Sequence, residues 1–235
     1  VSPTEGDEYP SYDPWGNRVS YISPDLTPNS DLGAFIFVQC SLLQPRTETE
    51  AHCQDIAGLG ALVPTNQGGE IRGSHPVWLS NNMIAFNGCD SWLISRTCGI
   101  YLADSGATKG LSRGFTPVKL TTNSTDLPMD SHGNHLVLMS QRSGNWDVYV
   151  MRHAVRSYHD SGPLNLSNHS ANDGLPTISP DGNWVAFLSD RDGNWAVWRV
   201  PISGGDAEKL FNLPSNTPWI ERHQPWTNER ISWSR

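Results

Sequence analysis

The segment LPTISPDGNWVAFLS, residues 175–189, decides the fold, because it reads as a complete β-hairpin and recurs elsewhere in the chain. Its Asp181-Gly182 pair suits a tight turn, since glycine accepts a positive φ without steric cost. The apolar run Trp184–Leu188 that follows is typical of a buried strand. A related segment, YPSYDPWGNRVSYIS, occupies residues 9–23 and repeats the order strand, turn, strand. The chain therefore contains an internal repeat, which predicts an array of similar units.

Three weaker copies extend the repeat. They read HPVWLSNNMIAF from residue 75, LPMDSHGNHLVLMS from residue 127 and QPWTNERISWS from residue 224. The prolines of the five copies are 66, 52, 48 and 49 residues apart, at Pro10, Pro76, Pro128, Pro176 and Pro225. A period near 50 is typical of propellers and related arrays. We predict a single domain over residues 1–235, with repeats that start near residues 9, 75, 127, 175 and 224.

Each full repeat continues into a third strand and a short outer strand. Trp195–Val200 and Trp146–Val150 carry the aromatic and β-branched bulk of third strands. Outer strands are expected around residues 118–120, 164–166 and 208–210. Four antiparallel strands per repeat make a propeller blade, and no stretch of twelve or more residues keeps an uninterrupted helical period. The predicted fold class is all-β: a β-propeller of four full blades plus a partial fifth.

The turn sequences resemble those of a known family. Ser179–Gly182, the strand Val185–Phe187 and the turn Ser189–Asn194 look like the TolB-like propeller, the Pro-Asp variety of the WD-type repeat. The similarity covers nearly the whole chain and is weakest in the second copy, where Leu79–Asn82 lacks the Pro-Asp-Gly turn. The resemblance implies a bacterial envelope or secreted propeller that binds protein partners, or a propeller attached to a peptidase domain.

Composition argues against two classes of partner. The net charge is −8, so no cationic face is expected that could neutralise nucleic-acid phosphates or adhere to anionic lipids. The longest apolar runs, such as Ala34–Val38, fall far short of the roughly 20 residues that a membrane-spanning helix needs. We therefore predict neither nucleic-acid binding nor membrane insertion.

The four cysteines form two close pairs, each of which flanks a polar loop. We predict the intramolecular disulfides Cys40–Cys53 and Cys89–Cys98, which would stiffen two inserted loops on one rim. Neither pair has the spacing of a zinc site, although His52 beside Cys53 leaves that alternative open. Disulfides persist in oxidising compartments, so the expected location is extracellular or periplasmic. No cofactor is predicted.

Two motifs of catalytic or metal-binding type occur in loops. The segment Gly110–Gly114 matches G-x-S-x-G, but a nucleophile elbow needs a strand before the serine and a helix after it. Neither is indicated around Ser112, so we predict no enzymatic activity. The segment Asp190–Asn194 resembles the start of a calcium loop, yet the later bidentate glutamate is missing. A plain hairpin turn explains the same residues.

Residues just before each inner strand are expected to crowd around the channel of a propeller. In this chain they are two imidazoles and three carboxylates: Glu8, His75, Asp126, Asp173 and His223. They could bind a metal or a cationic ligand, and the carboxylates could serve a propeller glycosidase. A wet channel mouth lined by polar side chains accounts for the same pattern without any ligand.

Tryptophans give a further alternative. Most of the ten recur at strand positions, where they fill space between blades. Trp15, Trp92 and Trp219 remain as surface contact candidates, and an exposed indole can stack on a sugar. A lectin that takes a glycan is therefore one alternative to a protein-binding propeller.

The last copy suggests how the protein could associate. It supplies only Trp226 and Ile231–Trp233 as an inner hairpin, which predicts an apolar open edge at Trp233. Either the sequence belongs to a longer propeller or a neighbouring molecule covers that edge. The predicted function is a non-catalytic extracellular or periplasmic propeller that acts as a protein-binding or structural assembly module. The alternatives are a propeller glycosidase and a sugar-binding lectin.

Overall fold

The computed structural model describes residues 8–12, 18–23, 35–40, 61–62, 73–79, 83–89, 97–104, 118–152, 162–214 and 226–233. The chain divides into two compact units, Val1–Ser124 and Thr125–Arg235. The described residues contain sixteen strands and a single turn of 3-10 helix, and none of them lies in an α-helix. A helix that could cross a membrane is likewise not found among them. The all-β prediction is confirmed.

Unit 1 contains two antiparallel four-stranded sheets, called blades 1 and 2. Blade 1 consists of β1 (Glu8–Tyr12), β2 (Arg18–Ser23), β3 (Phe35–Cys40) and β4 (Ala61–Leu62). Blade 2 consists of β5 (Ser74–Trp78), β6 (Met83–Cys89), β7 (Cys98–Asp104) and β8 (Val118–Lys119). The second copy of the repeat forms its hairpin although it lacks the Pro-Asp-Gly turn.

Unit 2 contains blades 3 and 4, which have the same consecutive strand order. Blade 3 consists of β9 (Leu127–His132), β10 (His135–Ser140), β11 (Asp147–Arg152) and β12 (Leu164–Asn165). Blade 4 consists of β13 (Asp173–Ile178), β14 (Trp184–Ser189), β15 (Ala196–Pro201) and β16 (Glu208–Asn212). The outer strands β8, β12 and β16 lie where the sequence predicted them. The four sheets are the four full blades of the predicted propeller.

The C-terminal copy departs from the sequence expectation in its local structure. Trp226–Asn228 form the 3-10 turn, and residues 229–233 are not in a strand, where an inner hairpin was predicted. An isolated hairpin is marginally stable in water, because its backbone groups and apolar side chains need neighbouring strands. Trp226 and Ile231 instead pack against buried residues of unit 2.

The core of unit 2 lies where the inner faces of blades 3 and 4 meet. Aliphatic side chains from both blades pack around Phe187, and the members from β11 and from β14 alternate along their strands. The buried members of this cluster are Val137, Val148, Val150, Leu166, Ile178, Val185, Phe187 and Val200. Burial of these residues fixes which face of each sheet points inward.

A buried aromatic ring and an exposed one in blade 4 allow a direct test of this core. Phe187 is 0% exposed and Phe211 is 58% exposed. We expect Phe187→Ala to lower the free energy of unfolding by about 3–4 kcal/mol, because it removes apolar contacts and leaves a cavity. Phe211→Ala, the control, should change it by less than about 0.5 kcal/mol. Urea denaturation followed by circular dichroism measures both; equal losses would contradict the packing described.

The β13–β14 turn is held by Asp181. Its Oδ1 accepts from the Ser179 hydroxyl at 2.5 Å and from the Asn183 backbone N–H at 3.1 Å. These hydrogen bonds, the Ser179 bond first, lower the pKa of Asp181 from 3.8 to about 2. Gly182 follows at φ 74°, a conformation that favours glycine. The Pro-Asp-Gly sequence thus forms a turn that is stabilised by hydrogen bonds from neighbouring residues to the Asp181 side chain.

This turn should make stability depend on acid pH. Because the folded pKa of Asp181 lies below its unfolded value of 3.8, ionised Asp181 stabilises the fold above about pH 4. The contribution is lost as the pH falls from 3.8 towards 2. We expect the stability difference between the wild type and Asp181→Asn to shrink over this interval. Thermal melts at pH 7, 4 and 2 measure it, and a difference that stays constant would refute the assignment.

Candidate functional site

The connections of unit 2 that are rich in polar and aromatic residues lie at one end of its sheets. The β10–β11 connection (residues 141–146), the β12–β13 connection (166–172) and the β14–β15 connection (190–195) all lie where β9 and β13 begin. We call this the loop end. The opposite end carries the hairpin turns at residues 133–134, 179–183 and 202–207.

In blade 3, the loop end is tied together by Asp126, which is fully buried. The Ser140 hydroxyl donates to its Oδ1 at 2.6 Å, and Arg142 Nη2 donates to its Oδ2 at 2.5 Å. Ser140 ends β10 and Arg142 lies in the following turn. The carboxylate therefore joins the start of the inner strand to the β10–β11 connection through a charge-assisted pair.

Blade 4 repeats this tie around Asp173, which is also fully buried. Arg191 Nη2 donates to Asp173 Oδ2 at 3.0 Å, and Arg191 Nε donates to the Ser189 hydroxyl at 3.0 Å. Burial raises the pKa of Asp173, while the Ser189 hydroxyl and Arg191 act in the opposite direction. The Arg191 guanidinium also lies 4.8 Å from the ring centre of Trp198. Both ties come from the same Ser-x-Arg sequence after the second strand.

A third buried carboxylate, Asp147, belongs to blade 3 alone. Its Oδ2 accepts from Ser143 at 2.5 Å and from Asn165 at 2.9 Å, and its Oδ1 accepts from Ser167 at 2.8 Å. Asp147 is paired with Ser140 across the sheet, and the corresponding position in blade 4 is Ala196, paired with Ser189. Asp147 thus fixes the outer part of blade 3 to the loop end.

The predicted channel-mouth residues occupy unlike positions. Glu8 begins β1, and its side chain lies outside the described part of the structure, as does His223. Asp126 and Asp173 are equivalent, but His75 sits within the β5 bulge with φ 54°, where blade 4 has Leu175 with φ 51°. The His75 side chain is 4% exposed, with Nδ1 2.9 Å from the Ser74 hydroxyl.

No group of three potential metal ligands occurs among the described residues. Ligand binding by the five channel-mouth residues stays a prediction. The surface contact candidates Trp15, Trp92 and Trp219 lie outside the residues that the structure describes.

An aromatic cluster at the loop end was not predicted. Trp146 and Trp195 follow the repeated Gly-Asn dipeptides of the β10–β11 and β14–β15 connections, and both are partly buried. Trp226 lies between them, with ring centres 6.1 Å from Trp146 and 5.2 Å from Trp195. The repeated Gly-Asn-Trp sequence was the available signal for the two flanking rings.

One predicted disulfide is confirmed. Cys89 and Cys98 are directly opposite in the β6–β7 register and are bonded, with their Cα atoms 4.0 Å apart. The bond closes the second-to-third-strand connection of blade 2, the same type of connection that carries Trp146 in blade 3. The Cys40–Cys53 prediction cannot be followed, because Cys53 lies outside the described residues.

Comparisons with known proteins place the fold. No family model matches the chain. An uncharacterised protein of Agrobacterium fabrum is 34% identical over 106 residues, which are 42% of this chain and 33% of that protein. A structure assigned as TolB from Agrobacterium tumefaciens superposes with a TM-score of 0.62 at 20% identity, over 90% of this chain and 64% of that one. TolB from Acinetobacter baumannii gives 0.59 at 15% identity, over 90% and 45%. The chain has a TolB-like propeller fold and spans less than two thirds of each of these proteins.

The buried ion pair between Asp173 and Arg191 in blade 4 should contribute more to the free energy of unfolding than an exposed ion pair does. Arg191→Ala leaves Asp173 buried without its cation and removes the ring contact to Trp198. We therefore expect it to lower the free energy of unfolding by about 3 kcal/mol. Arg199→Ala, the control, also removes a ring contact, 4.4 Å from the centre of Trp184, but breaks only an exposed pair with Glu208, so it should lower the free energy of unfolding by no more than about 1–1.5 kcal/mol. Chemical denaturation measures both, and an equal cost would show that the buried pair is not a structural tie.

Proposed function

We propose that this chain is a non-catalytic protein-binding propeller of an oxidising compartment, extracellular or periplasmic, that uses the loop end of its blades for contact. The observation that carries the proposal is that the buried polar groups of the loop end are bound to one another. Its buried carboxylates are bound by hydroxyl, amide and guanidinium groups of their own blade, while three partly buried indoles lie together at the same end.

The carboxylates have little freedom for acid–base chemistry. A glycosidase needs two carboxyl groups that flank a substrate and exchange a proton with it. Asp126 and Asp173 are both 0% exposed, and each is ion-paired to an arginine. Their contacts favour a structural role, and the glycosidase alternative then depends on Glu8 and on residues outside the described part.

Exposed apolar side chains favour a protein partner. Every residue of the outer strand β16 is exposed, and Leu210 and Phe211 are 41% and 58% exposed. Leu164 on the outer strand of blade 3 is 49% exposed. An outer strand with free edge groups and apolar side chains can pair with another chain. These exposed side chains favour β16, in place of the predicted edge at Trp233, as the surface for self-association, which is a separate proposal from partner contact at the loop end.

The disulfide supports the proposed compartment. A stable disulfide such as Cys89–Cys98 is rare in a cytosol, where glutathione and thioredoxin keep thiols reduced. The family resemblance of the turns points to an envelope or secreted propeller as well. A lectin function through Trp15, Trp92 or Trp219 stays a separate prediction, which a glycan array would test.

Site-specific photocross-linking in cells that make the full protein tests the proposal. We place a photoreactive residue at Gln141 or Asn194 on the loop end, and at Asn134 or Ser203 on the opposite end as matched exposed controls. Protein adducts are expected from the loop-end positions and not from the controls. Equal adduct patterns from both ends, or hydrolysis of aryl glycosides that Asp126→Asn abolishes without unfolding the protein, would overturn it.

A further inference from the structure

The C-terminal segment 226–233 lies against unit 2 without joining its sheets. The described residues 226–233 form no strand, and the backbone bond from the Glu229 N–H to the Trp226 carbonyl is internal to the segment. The contacts described between the segment and the blades are made by its side chains. The segment is therefore held as a bound peptide is held, by a few anchoring groups.

The first anchor is Trp226. Its indole lies between Trp146 of blade 3 and Trp195 of blade 4, nearly edge-on to Trp146 with an interplanar angle of 79°. Beneath it is Gly174, where an added Cβ would come within 2.5 Å of the indole ring, and the Met139 sulfur lies beside the same position. Glycine at this point of β13 therefore makes room for the ring.

The second anchor is Arg230, which follows Trp226 by four residues. Its Nη1 donates to the Met129 carbonyl at 3.3 Å. Asp130, next to Met129, accepts from the Thr177 hydroxyl at 2.9 Å and from the Ile178 N–H at 2.8 Å. Burial raises the pKa of Asp130, while these hydrogen bonds and the charge of Arg230 oppose the rise.

Asp130 is thus an acidic group close to Arg230 at this end of the segment. The third anchor, Ile231, packs on the apolar cluster of Met129, Met139, Leu175 and Leu188.

The walls of this cleft are positioned by their own blades. Asn145 Nδ2 donates to the carbonyls of His169 at 2.8 Å and of Ala171 at 2.5 Å, which fixes the turn before Trp146. The backbone of Leu213 donates to the Trp195 carbonyl at 2.8 Å. Both walls are therefore held by hydrogen bonds that do not involve the segment.

We propose that the cleft between Trp146 and Trp195 is a peptide-binding site, which in this chain is filled by its own segment as an internal ligand. The site takes an external protein segment of the same chemistry: a tryptophan, an arginine four residues later, and an apolar residue next to it. This inference rests on the proposed protein-binding function and names the partner. An external segment binds by displacing residues 226–233.

A labelled peptide with the sequence of residues 224–235 tests the site. The hosts are the full chain, its Trp226→Ala variant and the control Ser232→Ala, which changes an exposed residue of the same segment. We expect the peptide to bind Trp226→Ala about tenfold more tightly than the wild type or Ser232→Ala, whose clefts are filled. Fluorescence anisotropy gives the three dissociation constants.

Two changes should abolish that gain. A peptide with alanine in place of its tryptophan lacks the anchor, and Gly174→Ala added to Trp226→Ala places a methyl group where the indole lies. Each should weaken binding about tenfold. Near-ultraviolet circular dichroism checks that the hosts are folded. If Trp226→Ala is not folded, Arg230→Ala replaces it as the host, because this change weakens the attachment of the segment and keeps the indole.

Failure to bind a folded host, or binding that is insensitive to Gly174→Ala, would overturn the peptide site. That result is distinct from failure of the proposed function. Loop-end adducts without peptide binding would reject the cleft and leave protein binding in place. Peptide binding without any adducts would reject the protein-binding function and retain only the cleft as an internal docking site.

Discussion

The described part of unit 2 depends on one repeated ion pair. In each of its blades, a buried aspartate is paired with an arginine that lies two residues after the end of the second strand. Asp126 with Arg142, and Asp173 with Arg191, each join the first strand of a blade to the connection between its second and third strands. A buried carboxylate is costly unless it is paired and hydrogen-bonded, so each turn can adopt few alternatives. The positions of the loop-end side chains follow from this.

The same ion pairs position the aromatic side chains of the loop end. Because Arg142 and Arg191 hold the two connections against the inner strands, Trp146 and Trp195 are presented at equivalent places in adjacent blades. The cleft between them needs Gly174 as its floor, since any Cβ there would meet the ring of Trp226. A repeated structural device thus produces an aromatic cluster where two repeats meet, although neither repeat contains it alone.

Much of the fold could be predicted from the chain, and less of the site. Asp-Gly turns, alternating strands and the period near 50 identified the four blades, because turn geometry and strand burial are local properties. The channel-mouth set was harder, because His75 directly precedes its proline, as Leu175 does, whereas Asp173 lies three residues before Pro176 and pairs with Ser189. Which residue before the proline reaches the start of the inner strand depends on the position of the β-bulge, and that position differs between blades 3 and 4.

The amino-acid sequence by itself determined the repeat, the strand order within each blade and the Cys89–Cys98 bond, all of which link residues close in the chain. Only the tertiary structure decided that Asp126 and Asp173 are buried beside arginines, and that Trp226 lies between Trp146 and Trp195. Those contacts join residues that are between 16 and 80 positions apart, as Arg142 to Asp126 and Trp226 to Trp146 show. Such contacts depend on how blades pack, and packing depends on burial and register summed over whole sheets.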